Sequence, residues 1–161
     1  MPTGPAARMG DPTAHGNPLA PGPPSPTVII GGQPAWLGCP AAALAAIQAA
    51  VSAAASDIAQ ASAASAAAKG TPASGAADAN LVATAASSVA NVANAFGSTG
   101  ASIHMCAIVK VLIPDGPGID TTPSATVQFN SKPACRMGDT IQEVTSVNTI
   151  AAGCMSVIIG G

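Results

Sequence analysis

Two histidines and four cysteines are the residues of this 161-residue chain best suited to hold a metal ion. They are His15, His104, Cys39, Cys106, Cys135 and Cys154. Imidazole nitrogen with thiolate sulfur suits tetrahedral Zn²⁺, and four protein ligands make a closed, structural site. His104 and Cys106 stand two apart in His-Met-Cys. In an extended segment residues i and i+2 point the same way, so both can face one ion. Catalysis finds little support. Glu143 is the only glutamate, no His-Glu-x-x-His exists, and neither histidine accompanies a Gly-x-Ser-x-Gly turn. The chain is read as a non-enzyme.

The elements that must position such a site are short of large side chains. Hydrophobic residues make up 48% of the chain, yet the aromatics are only Trp36, Phe96 and Phe129. A core of Ala, Val and Ile removes little area per side chain from water, so a bound metal or a partner surface is expected to add stability. Charged residues are 7%, against about 25% in ordinary globular chains. With a net charge of −2 and no basic cluster, a nucleic-acid partner is not expected. So apolar a surface points to cover by another protein. Residues 1–26 are polar and Pro/Gly-rich without an apolar run. The expectation is a cytosolic chain with no signal peptide, whose cysteines are ligands or packed thiols rather than disulfides.

Three zones follow one another: 1–38, rich in Pro and Gly; 39–100, an Ala/Ser tract; and 101–161, with short β-like runs. Strands are predicted at 27–30, 107–113, 125–129 and 156–159, each bounded by turn residues. The outer zones repeat each other. Ser25-Pro-Thr-Val-Ile-Ile-Gly-Gly-Gln-Pro-Ala35 matches Ser124-Ala-Thr-Val-Gln-Phe-Asn-Ser-Lys-Pro-Ala134, and Met155-Ser-Val-Ile-Ile-Gly-Gly161 is a third copy. Pro5-Ala-Ala-Arg-Met-Gly-Asp11 recurs as Pro133-Ala-Cys-Arg-Met-Gly-Asp139. One strand of four or five residues cannot bury a face alone, so the copies must stack. Three of them predict approximate threefold symmetry.

The middle tract predicts a helical hairpin, because Ala has the highest helix propensity. Leu44, Ile47, Val51 and Ile58 form one stripe; Val82, Val89 and Phe96, with Ala85 and Ala93 between, form the other. The break falls at Gly70-Thr-Pro-Ala-Ser-Gly75. Residues 37–56 carry no charge over a length fit for a span. Ala contributes almost nothing to insertion, so stable membrane insertion is not expected.

Pro5-Ala-Ala-Arg8, followed by Gly10-Asp11 and His15-Gly16, resembles the signature of the PAAR-repeat family. The two long strand-turn units look like its repeats, and His104-Met-Cys106, Pro114-Asp-Gly-Pro-Gly118 and Gly153-Cys154 extend the likeness over 1–38 and 101–161. The resemblance implies a mainly β fold: a small pointed β-cone in two parts, 1–38 and 101–161, interrupted by the helical insertion 39–100. It implies a structural spike tip, one copy per trimer of a valine-glycine-repeat spike protein, in type VI secretion or a related contractile injection system. Such a tip stays in the cytoplasm until fired and is then delivered to the target cell. Family members also carry or recruit effectors, here through residues 39–100. The chain ends at Gly161, just past the third copy, which suits a stand-alone tip without a fused toxin.

The resemblance also implies a structural Zn²⁺. His15 matches the family's first histidine, and Cys154 precedes the last repeat, where the family places its cysteine ligand. Where many relatives have a further histidine this chain has Asp115. The expected set is therefore His15, His104, Cys106 and Cys154, with replacement of one of them by Asp115 or Cys135 left open. Cys39 and Cys135 are read as packed thiols. Arg8 with Asp11, and Arg136 with Asp139, are read as turn supports. The alternative function is a membrane-inserting or effector-recruiting module built on the hairpin; a zinc hydrolase ranks below it.

Overall fold

The strands expected from the repeats form as short two-residue hairpins. A computed structural model describes residues 2–110 and 113–161. β3 (Ile29–Ile30) pairs with β4 (Gln33–Pro34), and β7 (Gln128–Phe129) with β8 (Lys132–Pro133), in identical register. Both turns need two successive residues at positive φ. Gly31 and Gly32 supply them in one hairpin, and Asn130 and Ser131 in the other. The third copy lies in β11 (Cys154–Ile159), which pairs antiparallel with β1 (Gly4–Ala6) instead of folding back on itself.

Around an axis the chain closes on itself three times. The segments 5–9, 34–38 and 133–137 hydrogen-bond in a cycle: Trp36 N–H donates to Ala7 O (3.0 Å), Ala7 N–H to Cys135 O (2.9 Å), and Cys135 N–H to Trp36 O (3.4 Å). A second cycle joins Met9 N–H to Pro34 O, Gly38 N–H to Pro133 O and Met137 N–H to Pro5 O. The copies also cap themselves alike. Val28 N–H bonds Ser25 Oγ and Val127 N–H bonds Ser124 Oγ, each at 3.0 Å.

Side chains fill this ring in layers. Ala6, Ala35 and Ala134 are fully buried, with Ile30, Cys154 and Ile159, under the equivalent Val28, Val127 and Val157. The next layer holds Ala7, Trp36 and Cys135 with Leu19, Ile141 and Ile150. Small residues on the axis let three backbones meet, and Trp36 fills the remaining space.

The second body of the fold is a five-stranded antiparallel sheet in the order β10 (Val147–Thr149), β9 (Thr140–Glu143), β6 (Ile113–Asp120), β5 (Ile103–Lys110), β2 (Pro21–Gly22). The predicted strand 107–113 is therefore divided between β5 and β6, and its residues 111 and 112 lie outside the described ones. Among the described residues, then, the chain is sheet-rich with two helices, a mainly β fold with a helical insertion.

The hairpin consists of α1 (Leu44–Ala68) and α2 (Ser74–Ser98), after a 3₁₀ turn at Ala41–Ala43. Its root packs on the sheet through Cys39, Ile47, Ala54, Val92, Phe96, Ile119 and Val144, with Leu44, Val51 and Ile58 alongside. The inner row of α2 is Leu81, Ala85, Ser88, Val92 and Phe96, so Val82 faces solvent, 54% exposed. Of the expected stripe, Ala85 and Phe96 are buried and Val89 packs half-buried against the core, while Val82 is the member that turns outward. Close helix–helix approach selects the small residues Ala85 and Ser88 for the seam and leaves the larger Val82 outside.

A candidate metal centre

His15, Cys106, Asp115 and Glu143 converge at one end of the five-stranded sheet. One ligand atom from each lies within 4.8 Å of all the others. Strand alternation on β5 turns His104 and Cys106 inward and Met105 and Ala107 outward, as the i, i+2 spacing predicts. Asp115 comes from β6, across the hairpin from Cys106, and Glu143 from the end of β9. His15 sits on a loop held to the sheet: its N–H donates to Asn148 Oδ1 (3.1 Å), and Ala14 N–H to Thr149 O (2.8 Å).

The spacings suit a shared cation. His15 Nδ1 is 3.2 Å from Glu143 Oε2, 3.9 Å from Asp115 Oδ2 and 3.5 Å from Cys106 Sγ, and Cys106 Sγ is 4.0 Å from Asp115 Oδ2. Ligands at about 2.0–2.3 Å from a tetrahedral ion stand roughly this far apart. Asp115 and Glu143 are fully buried, Cys106 almost so, and His15 covers the site from solvent. Two carboxylates and a thiol buried together favour a positive charge among them. The cluster could hold a metal ion.

A buried orphan atom supports this. His104 Nδ1 lies 2.9 Å from the Pro18 carbonyl oxygen, an acceptor, so Nδ1 carries the proton. Its Nε2 then points at Glu143 Oε1, 3.4 Å away, with no hydrogen-bond partner among the described residues. A lone pair facing a carboxylate needs a proton or a cation in between. A histidine anchored through Nδ1–H to a backbone carbonyl has the posture of a metal ligand.

Neighbours fix the carboxylates. Thr145 Oγ1 donates to Asp115 Oδ1 (2.6 Å), and Asn148 Nδ2 to Glu143 Oε1 (2.8 Å). Burial by itself would raise the Glu143 pKa, but the imidazole of His104 facing it, hydrogen bonds from Ser146 and Asn148, and the nearby His15 lower it to about 2. Burial raises the Cys106 thiol, and the Glu143 and Asp115 charges add to it.

His104, Gly118 and Glu143 occupy one row across β5, β6 and β9. The absent side chain at position 118 lets its neighbours meet. A Cβ there would lie 2.7 Å from Ile141 Cγ2, 3.0 Å from Glu143 Cγ and 3.4 Å from His104 Cδ2. Ile141 is fully buried and has no room to withdraw. Gly118→Ala is therefore expected to lower stability by about 1–3 kcal/mol and to weaken metal binding, read by urea unfolding and by competition with a chromophoric chelator.

Of the four expected ligands, the structure gathers His15 and Cys106, sets His104 at the edge of the cluster through Glu143, and puts Cys154 elsewhere. Cys154 stands opposite Ala6 on β11, in the apolar layer of the ring, with Sγ 3.2 Å from Ser156 Oγ. Pairing of β11 with β1 carries it into the ring, and Asp115 and Glu143 stand in the cluster in its place. Cys135 is fully buried beside Trp36, and Cys39 lies at the hairpin root with its thiol pushed up to about 11, chiefly by burial. Both are packed thiols.

Glu143 was missed as a metal-site residue, although a signal for it exists. On β9 Ile141 and Glu143 share the inward parity, and a lone carboxylate on an inward strand position needs a partner. Comparison with protein-family models, with curated proteins and with solved structures returned no match.

Proposed function

We propose that the chain is a PAAR-type spike tip, a zinc-pinned cone seated on a trimeric spike protein of a contractile injection system. The observation that carries this reading is the cyclic bonding of segments 5–9, 34–38 and 133–137. A single chain with three near-equivalent sides can present one surface to three identical subunits. The second repeat position supplies such a surface: Ile29, Gln128 and Ile158 are all exposed at equivalent places, beside half-buried Val28, Val127 and Val157. Two exposed isoleucines and a glutamine in a threefold arrangement, flanked by half-buried valines, suit docking on a trimer's end, with strand edges adding backbone hydrogen bonds. The metal raises the cost of local unfolding under thrust. The tip travels with the spike out of the producing cell.

The test is native mass spectrometry of the metal-loaded protein with a trimeric spike of the valine-glycine-repeat type. One chain per trimer is expected, and the double variant Ile29→Asp/Ile158→Asp should lose the complex while keeping its fold. No complex with any such trimer, or binding that survives the double variant, rejects the docking model.

A second reading rests on the hairpin. The 3₁₀ turn and α1 together, Ala41–Ala68, are long and apolar enough to cross a membrane, and only 11% of an 18-residue window with mean hydropathy 1.5 is buried. Flotation with liposomes through residues 39–100, in place of spike binding, is the result that would favour a membrane-inserting module.

A further inference from the structure

We propose that Asp120 and Asp139 share a single proton at neutral pH, forming a buried junction that ties the hairpin root and both chain ends to the ring and weakens as pH rises. The inference stands apart from the proposed function, since none of its groups belongs to the metal cluster.

Asp120 ends β6 and is fully buried. Its backbone carbonyl accepts the Cys39 N–H (2.9 Å), which anchors the hairpin root. Its Oδ1 accepts the Thr122 N–H at 2.9 Å. Its Oδ2 is sealed from solvent and has no hydrogen-bond partner among the described residues. The Asp139 carboxyl and the Cys135 thiol are its side-chain neighbours in this pocket.

Asp139 is already supplied with donors. The Arg136 N–H reaches Oδ2 (2.7 Å), Nε reaches Oδ1 (3.0 Å) and Nη2 lies 3.0 Å from Oδ1. Arg136 also donates to Pro2 O, Gly161 O and Thr122 O, so the same guanidinium holds both ends of the chain.

Charge counting then decides the protonation state. The groups facing Asp120 are Asp139, Arg136, the Cys135 thiol and, at the hairpin root, the Cys39 thiol with Lys132 beyond it. Both thiols are held neutral, chiefly by burial. One buried guanidinium balances one carboxylate. A second ionised carboxylate, faced by at most a thiol donor and with no cation of its own, is strongly disfavoured in this setting. A proton on Asp120 Oδ2 removes the charge and turns the orphan acceptor into a donor aimed at Asp139. Burial first, and then the Asp139 charge, raise the Asp120 pKa to about 8. Because the two groups interact, the proton belongs to the pair, and Asp139 keeps the ionic role beside Arg136.

The sign of the pH dependence follows. Unfolded, Asp120 titrates near the ordinary carboxyl value of about 4. Between there and about 8 the folded chain holds a proton that the unfolded chain lacks, so unfolding releases one proton. The stabilisation is complete below the ordinary value and lost as pH approaches 8. Asp120→Asn supplies a permanent neutral donor and abolishes that slope.

The test is infrared spectroscopy of the full, metal-loaded protein grown with ¹³C-carboxyl aspartate. At pH 6.5 one protonated-carboxyl band carrying the aspartate isotope shift is expected. It should disappear as pH passes through about 8 and be absent from Asp120→Asn. The thermal midpoint of Asp120→Asn should gain on the native protein steadily from pH 5 to pH 8. Absence of the labelled band at pH 6.5 overturns the proposal, as does a band that persists in Asp120→Asn. If that variant fails to fold, the labelled band of the native protein and its titration decide alone.

Discussion

Stripping the metal from the loaded protein is expected to lower its unfolding midpoint further than any single side-chain substitution. Without the ion, Asp115, Glu143 and Cys106 remain buried side by side, and His104 Nε2 still faces a carboxylate. The two carboxylates repel each other, so their convergence costs free energy unless a cation sits among them. Structural zinc in small domains carries about 10–16 kcal/mol of apparent binding free energy, larger than the whole stability of most domains this size. Scanning calorimetry with and without a strong chelator reads the effect. An unchanged midpoint would reject the metal centre.

The same centre predicts a pH dependence. Cys106 binds as thiolate, but burial and the neighbouring carboxylates raise its thiol pKa above the ordinary value. A metal ion taken up there must therefore displace a proton, and apparent affinity should strengthen about tenfold per pH unit over the neutral range. Substitutions separate the two possible ligand sets. Cys106→Ser and Glu143→Gln should lose bound metal, whereas Cys154→Ser should keep full stoichiometry, because its sulfur lies in the ring layer. Metal loss in Cys154→Ser alone would restore the set expected from the sequence.

How much of this was legible in advance depends on the range over which each signal acts. The repeats were readable because closely similar short segments recur three times in one chain, two of them closing tight turns, and they prefigure the ring. The third partner in the cyclic bonding, Trp36, was not visible as one: it occupies the place of Ala7 and Cys135 but shares no side-chain resemblance with them. His104 and Cys106 were readable from strand alternation alone. Their companions Asp115 and Glu143 depend on the register of β5 on β6 and of β6 on β9, which no local pattern encodes. Cys154 shows the converse. Its position before a repeat suggested a ligand, yet pairing of β11 with β1 decides where its sulfur goes. The hairpin was legible through Ala propensity, while its buried face was not. In a seam of Ala and Ser, side-chain size no longer marks the inside.

Two copies of one motif, Arg-Met-Gly-Asp, provide the second large effect. In both, the arginine and the aspartate three residues on are joined by backbone and side-chain hydrogen bonds. Their surroundings differ. The Arg8 side chain is 21% exposed and, among the described residues, hydrogen-bonds one side chain, Asp11. The Arg136 side chain is 3% exposed and spends its remaining donors on Pro2 O, Gly161 O and Thr122 O. Arg136→Met preserves much of the volume but leaves Asp139 buried without its cation and removes the guanidinium donors from Pro2 O, Gly161 O and Thr122 O. Removing one partner of a buried ion pair costs about 3–5 kcal/mol, whereas the half-open Arg8 pair contributes about 1 kcal/mol at most. Urea unfolding of the metal-saturated variants should therefore show a loss several times larger for Arg136→Met than for Arg8→Met. The larger loss should come with fraying of both termini, seen as faster amide exchange at Thr3 and Gly160. Equal losses would mean that the two motifs serve only their own turns, and that the chain ends are held by β1–β11 pairing rather than by the guanidinium between them.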